Sequence, residues 1–121
     1  MRILLVDDDA LLREMYATKF TEGGHSVEAI GNGERALELL QEEQFDVILF
    51  DMVMPSITGD ELLVKINALA LPKKPKCIVL SNQGEESDIT KAMEAGASGY
   101  IVKAQLIPSE VVKKVEEIVS A

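Results

Sequence analysis

The sequence predicts an α/β fold in which a parallel sheet is wound on both faces by helices, and three observations carry that expectation. Uninterrupted apolar runs, without polar alternation, recur at residues 3–6, 47–50, 77–80 and 99–102; strands buried on both faces read this way. Between them, apolar residues recur at the three-and-four spacing of a helix face. The connections are short, and strict strand–helix alternation brings right-handed crossovers and parallel strands.

Composition narrows the classes further. With 121 residues, 47% hydrophobic and 27% charged, the chain is expected to form one domain over 1–121 with a core of its own. The single cysteine excludes an internal disulfide framework and fits a reducing, cytoplasmic setting. Met1-Arg-Ile-Leu-Leu-Val6 runs straight into three aspartates, which does not read as a signal peptide, and no apolar run approaches membrane-spanning length. A formal net charge of −9 argues against direct binding to nucleic acid or to an anionic membrane. An acidic chain suits a cation or a basic partner.

In chain order, the strand at 3–6 ends in Asp7, Asp8 and Asp9. Asp9 reads as the cap of a helix whose inner face is Leu12, Met15, Tyr16 and Phe20, closed by Gly23-Gly24. His25 reads as a solvent-facing turn residue, having no His or Cys near it in the chain. A strand at 26–30 and the Gly31-Asn32-Gly33 turn lead to a second helix with Ala36, Leu37 and Leu40 inward. The strand at 47–50 ends in Asp51. Thr58 and Glu61 form a capping box, starting a third helix with Leu62, Leu63, Ile66 and Leu69 on its apolar face. A solvated basic turn at 71–75 precedes the strand at 77–80, where Cys77 reads as a small core residue. Ser81 and Asn82 follow it. The fourth helix carries Ile89, Ala92 and Met93 on one side and stops near Gly96. The strand at 99–102 ends in Lys103. Pro108 suits the first turn of a last helix lined by Val111, Val115, Ile118 and Val119.

Parallel strands share one carboxyl edge, where ligands of open α/β sheets bind. That edge is expected to gather Asp7, Asp8, Asp51, Ser81 and Lys103. Three carboxylates in a small volume repel one another unless a cation joins them. Oxygen ligands without His or Cys select a hard ion, and few protein ligands with room for water favour Mg²⁺ over Ca²⁺. Asp51 can act as a nucleophile toward a phosphoryl group. Lys103 and the metal would stabilise the equatorial oxygens during transfer, and Ser81 could donate to a phosphoryl oxygen.

Four segments carry a resemblance across nearly the whole chain: Leu5-Val-Asp-Asp8, Phe50-Asp-Met-Val-Met-Pro55 with Gly59, Val79-Leu-Ser81, and Ala95-Gly-Ala-Ser-Gly-Tyr-Ile-Val-Lys103. They resemble the receiver domain of two-component response regulators. The resemblance implies a flavodoxin-like (βα)5 three-layer sandwich with strand order 2-1-3-4-5. It implies that Asp51 accepts a phosphoryl group from a histidine-kinase phosphohistidine, the chain being a signalling switch that catalyses its own phosphoryl transfer and autodephosphorylation rather than a conventional enzyme. Mg²⁺, with Mn²⁺ as a substitute, would be held directly by Asp8 and Asp51, by Asp7 through water, and by the main-chain carbonyl of Val53. Ser81 and Tyr100 would form the switch pair and change the face made by the fourth helix, fifth strand and fifth helix. Partners implied are a histidine kinase or phosphotransfer protein, a downstream protein or output domain, and a phosphorylation-dependent second copy.

The chain departs from the family pattern at a few positions around the site. Ala104 stands where a proline, often after a cis bond, is usual. A cis bond before alanine costs about 3 kcal/mol, so a trans bond or a strained loop is expected. Asn82 replaces a small residue, and with Gln83 and the apolar Val53 it stands where water approaches the phosphoryl group, so the phosphoryl lifetime should differ from that of members with small residues there. Two alternatives stay open: a pseudo-receiver that takes no phosphate, and a phosphatase with an aspartate nucleophile, which usually carries a second Asp where this chain has Val53. Tyr100 also reads as a strand aromatic packed on the last helix, and Met52 and Met54 as gap-filling or partner-surface residues.

Overall fold

The computed structural model describes residues 1–121. Five strands, β1 (Arg2–Val6), β2 (Ser26–Ile30), β3 (Val47–Phe50), β4 (Lys76–Ser81) and β5 (Gly99–Val102), alternate with five helices, α1 (Ala10–Glu22), α2 (Gly33–Glu42), α3 (Gly59–Ala68), α4 (Glu86–Glu94) and α5 (Pro108–Ser120). All strand pairs are parallel, and the order across the sheet is β2-β1-β3-β4-β5. This is the expected flavodoxin-like sandwich.

The apolar runs account for the three layers. Successive strand residues point to opposite faces, so Ile3, Leu5, Val47, Leu49, Ile78 and Leu80 pack with Tyr16 and Phe20 of α1 and Val111 and Val115 of α5. The alternate residues Leu4, Val6, Ile48, Phe50, Cys77 and Val79 pack with α2, α3 and Ala92 of α4. Burying each large aliphatic or aromatic side chain contributes roughly 1.5–3 kcal/mol. No helix is long and apolar enough to cross a membrane.

Local chemistry sets the ends of the elements. Asp9 caps α1 by accepting from the amides of Leu11 and Leu12. Asn32 does the same for α2, and Thr58 with Glu61 closes the capping box of α3. Pro108 occupies the first turn of α5. After α4 the chain turns at Gly96 with φ +105°, a left-handed conformation that a side chain would strain.

Several side chains lie where spacing alone did not put them. Met15 is 40% exposed and Met93 45%, because the buried arcs of α1 and α4 are narrower than their apolar residues suggest, while Leu39 and Val112 join the core. The turn at 71–75 is exposed at its lysines, yet Lys73 pairs with Asp46 at 2.8 Å and Lys74 reaches Asn67. His25 is not a solvent-facing turn residue: its side chain is only 10% exposed. One ring nitrogen meets the Met1 amine at 3.0 Å and the other meets Glu116 at 2.9 Å. These partners are 24 and 91 residues away in the chain, and no local pattern could announce them. Every peptide bond, including that before Ala104, is trans, and Lys103–Gln105 forms a short 3-10 turn.

Candidate functional site

The sheet register sets the two key acids side by side. Val6 of β1 pairs with Phe50 of β3, so Asp7 and Asp51, each one residue further on, emerge at the same level of the carboxyl edge. Ser81 is the last residue of β4, and Lys103 directly follows β5.

Lys103 joins the acids. Its Nζ donates to Asp7 Oδ2 at 2.7 Å and to Asp51 Oδ2 at 2.8 Å. Lys103 is 8% exposed and Asp7 2%. Burial alone would lower the lysine pKa, but the hydrogen bonds and charges of Asp51 and Asp7 outweigh it and hold the group above the ordinary lysine range. Lys103 therefore stays charged at neutral pH, and a buried charge persists where it is matched and hydrogen-bonded.

The remaining oxygens are matched too. Asp51 Oδ1 accepts from Ser81 Oγ at 2.8 Å and from the Val53 amide at 3.1 Å. Asp7 Oδ1 accepts from the Asp9 amide at 3.0 Å. Ser81 is 1% exposed, and its hydroxyl accepts from the Gln83 amide while donating to Asp51. Tyr100, half-buried, packs on the layer formed by α2, α3 and α4, not on the last helix. Its phenol donates to the Gln83 carbonyl in the β4–α4 loop, and burial pushes its pKa up.

Of the three acids expected together, two are joined. Asp8 is exposed, and no group of three or more His, Cys, Asp or Glu side chains is placed to hold a metal ion. In this arrangement the positive charge between Asp7 and Asp51 is the Lys103 ammonium. The donor chemistry nevertheless fits a hard divalent ion: carboxylates at 7, 8 and 51, with no nitrogen or sulfur ligand among them. Val53 is 57% exposed and offers its amide to Asp51.

One contributor was missed by sequence reading. Arg13, one turn into α1, donates from Nη1 to the Asp7 carbonyl at 2.7 Å, tying the β1–α1 turn to its helix. Its position four residues after the cap Asp9 was the available signal. The Gln83 carbonyl, as the acceptor for Tyr100, left no signal, since every residue has a carbonyl.

Comparison with known proteins decides the family. The family model described as "Response regulator receiver domain" matches residues 3–116. The chain belongs to the response regulator receiver domain family. It is 33% identical over 106 residues to the gliding motility regulatory protein of Myxococcus xanthus, covering 88% of this chain and 14% of that protein. It is 32% identical to the transcriptional regulatory protein CutR of Streptomyces coelicolor, covering 85% of this chain and 46% of that one. The chain thus spans less than half the length of these curated relatives. The solved chemotaxis protein CheY4 of Vibrio cholerae superposes with a TM-score of 0.89 at 27% identity, over 97% of both chains. Receiver domains of this family generally bind Mg²⁺ for phosphorylation, and two-component response regulators work with histidine kinases and output domains.

Proposed function

We propose that the 121 residues act as one receiver domain, a phosphorylation-controlled switch in which Asp51 accepts a phosphoryl group from a phosphohistidine. The observation that carries this reading is the setting of Asp51 itself, with one carboxylate oxygen on Lys103 and the other on Ser81. A carboxylate so placed is aimed and flanked by the two donors that a transferring phosphoryl group needs.

The step follows from that arrangement. An Asp51 oxygen attacks phosphorus, the P–N bond to the donor imidazole breaks, and the electron pair returns to the ring nitrogen, which takes up a proton. Lys103 Nζ already bridges Asp7 and Asp51, and its charge offsets that developing on the equatorial oxygens. Ser81 Oγ donates to Asp51 now and is within reach of a phosphoryl oxygen after transfer. Asp8, Asp51, Asp7 through water and the Val53 carbonyl would hold Mg²⁺, which supplies further neutralisation of phosphoryl charge when bound.

Tyr100 and Ser81 then serve as the switch pair. Both meet the β4–α4 loop at Gln83, the hydroxyl through the amide and the phenol through the carbonyl. Movement of Ser81 therefore reaches Tyr100 through one residue, and α4 begins just beyond it at Glu86. This supports a change in the α4-β5-α5 face as the output, read by a downstream protein, an output domain or a second copy. The pseudo-receiver alternative has only Ala104 in its favour, and the trans 3-10 turn there leaves Lys103 on Asp51.

Incubation with Mg²⁺ and a small phosphodonor, followed by intact mass, tests the reading. One phosphoryl adduct is expected on wild type and none on Asp51→Asn. An unmodified wild type, or an adduct persisting on the variant, would overturn it.

A further inference from the structure

No left-handed backbone calls for a glycine at position 31, since only Gly24 and Gly96 take a positive φ. What a side chain there would meet is Arg13. A Cβ on Gly31 would come within 2.8 Å of Arg13 Nη1, while its next neighbours, Arg13 Cζ at 3.5 Å and the Asp7 carbonyl at 3.7 Å, lie at ordinary contact distance. The missing side chain is the space that the guanidinium occupies.

The sheet explains why the guanidinium is there. The last pair of the β1–β2 ladder is Val6 with Ile30, and the Asp7 amide still donates to the Ile30 carbonyl at 3.0 Å. In a parallel ladder, a residue that donates to one partner accepts from the residue two further along, which here is Asn32. Asn32 has left the strand to cap α2. The carbonyl of Asp7, a residue 2% exposed, therefore has no strand donor, and a buried carbonyl needs one. Arg13 Nη1 takes that place at 2.7 Å. Lys103 and the Asp9 amide hold the two carboxylate oxygens, so every polar group of Asp7 is engaged. The Arg13 bond fixes the plane of the Asp7–Asp8 peptide, and the exposed Asp8 takes its direction from that plane.

We propose that Arg13 is a positioning residue for phosphoryl transfer. Its guanidinium replaces the missing strand donor, orients the Asp7–Asp8 peptide and so sets both acids toward Asp51, with Gly31 as the space that admits it. This rests on the phosphoacceptor reading of Asp51. Arg13 touches no reacting atom; it acts through Asp7, which shares the Lys103 ammonium with Asp51, and through Asp8. Misplacing such groups by about 1 Å costs on the order of a hundredfold in rate.

A role as a nearby positive charge alone has the opposite signature. Removing a positive charge beside carboxylates would tighten their hold on Mg²⁺, whereas releasing the peptide would loosen it.

Two measurements test this: phosphorylation by acetyl phosphate followed by intact mass, and calorimetric titration with Mg²⁺ alone. They are made on wild type, Arg13→Ala, Arg13→Lys, Gly31→Ala and the double variant of Arg13→Ala with Gly31→Ala, with urea denaturation reporting the folded fraction of each. Arg13→Ala should slow adduct formation roughly ten- to a hundredfold and weaken Mg²⁺ binding. Arg13→Lys, which can supply the single donor this contact uses, should recover part of both. Gly31→Ala should fall between wild type and Arg13→Ala at wild-type stability, since the atom it displaces is the end of a flexible side chain; it decides the matter if Arg13→Ala does not fold. In the double variant, alanine at 31 should add no further loss, because the group it would displace is gone. An unchanged rate in Arg13→Ala, tighter Mg²⁺ binding by that variant, or additive losses in the double variant would overturn the assignment. A wild type that takes no adduct removes the phosphoacceptor reading and this proposal with it. A phosphorylated wild type beside an equally fast Arg13→Ala removes this proposal alone.

Discussion

Replacing Lys103 with methionine asks most sharply whether the buried ammonium is what holds Asp7 and Asp51 together. Methionine keeps much of the apolar stem and removes the charge, leaving Asp7, 2% exposed, without its counter-ion. Breaking a buried pair by deleting one partner costs roughly 3–5 kcal/mol. Asp7 keeps the Asp9 amide and Asp51 keeps Ser81 and Val53, and the Asp51 side chain retains 14% exposure. The lower end, about 3 kcal/mol, is therefore expected at pH 7. For a domain of this size that lowers Tm by roughly 10–15 °C. Urea denaturation of wild type, Lys103→Met, Asp7→Asn and the double variant measures it. The double variant should lose less than Lys103→Met alone, because no unpaired charge remains buried. The pH dependence has a definite sign. The folded lysine pKa is raised, so the Lys103 contribution is fully present below the unfolded lysine value of about 10.4 and disappears as pH rises through the higher folded value. A loss under about 1 kcal/mol, the size of an exposed pair, or simple additivity in the double variant would refute the reasoning.

Other expectations rest on single features. Asp46 accepts from the Arg2 amide and pairs with Lys73, which together hold its pKa below the ordinary value; Asp46→Asn should cost about 1 kcal/mol at pH 7 by denaturation, and the difference should vanish as pH falls through that depressed value. A Cβ on Gly59 would come within 2.8 Å of Met52 Cα and 2.9 Å of the Asp51 carbonyl, so Gly59→Ala should destabilise by about 1–3 kcal/mol and slow phosphorylation by displacing the phosphoacceptor loop. The Cys77 thiol, 1% exposed and pushed up to about 11 by burial, should resist alkylation in the native state and react stoichiometrically in denaturant. Asn82→Ala should change the rate of phosphate release from phosphorylated protein, and equal rates would remove Asn82 from any role in the phosphoryl lifetime.

The fold was legible because its signal is local and repeated. Each buried strand is an apolar run and each helix except α4 and α5 opens on a side-chain cap, so residues 3–6, 47–50 and 77–80 located β1, β3 and β4 to within a residue or so. Asp7, Asp51, Ser81 and Lys103 were legible as a set because parallel strands have only one carboxyl edge. What stayed hidden was long-range. Nothing near Lys103 in the chain marks Asp7, 96 residues away, as its hydrogen-bond partner. Nothing near His25 marks Met1 and Glu116. Met15 and Met93 were misplaced because spacing gives the direction of a helix face but not its width.

Chemical marking of the phosphorylated residue tests the central claim most directly. Treating the phosphorylated protein with borohydride reduces an acyl phosphate to an alcohol, which converts a phospho-aspartate to homoserine, and peptide mass spectrometry then locates it. Homoserine at position 51 is the expected result. Homoserine at Asp7 or Asp8, or phosphate retained on Ser81, would contradict the account.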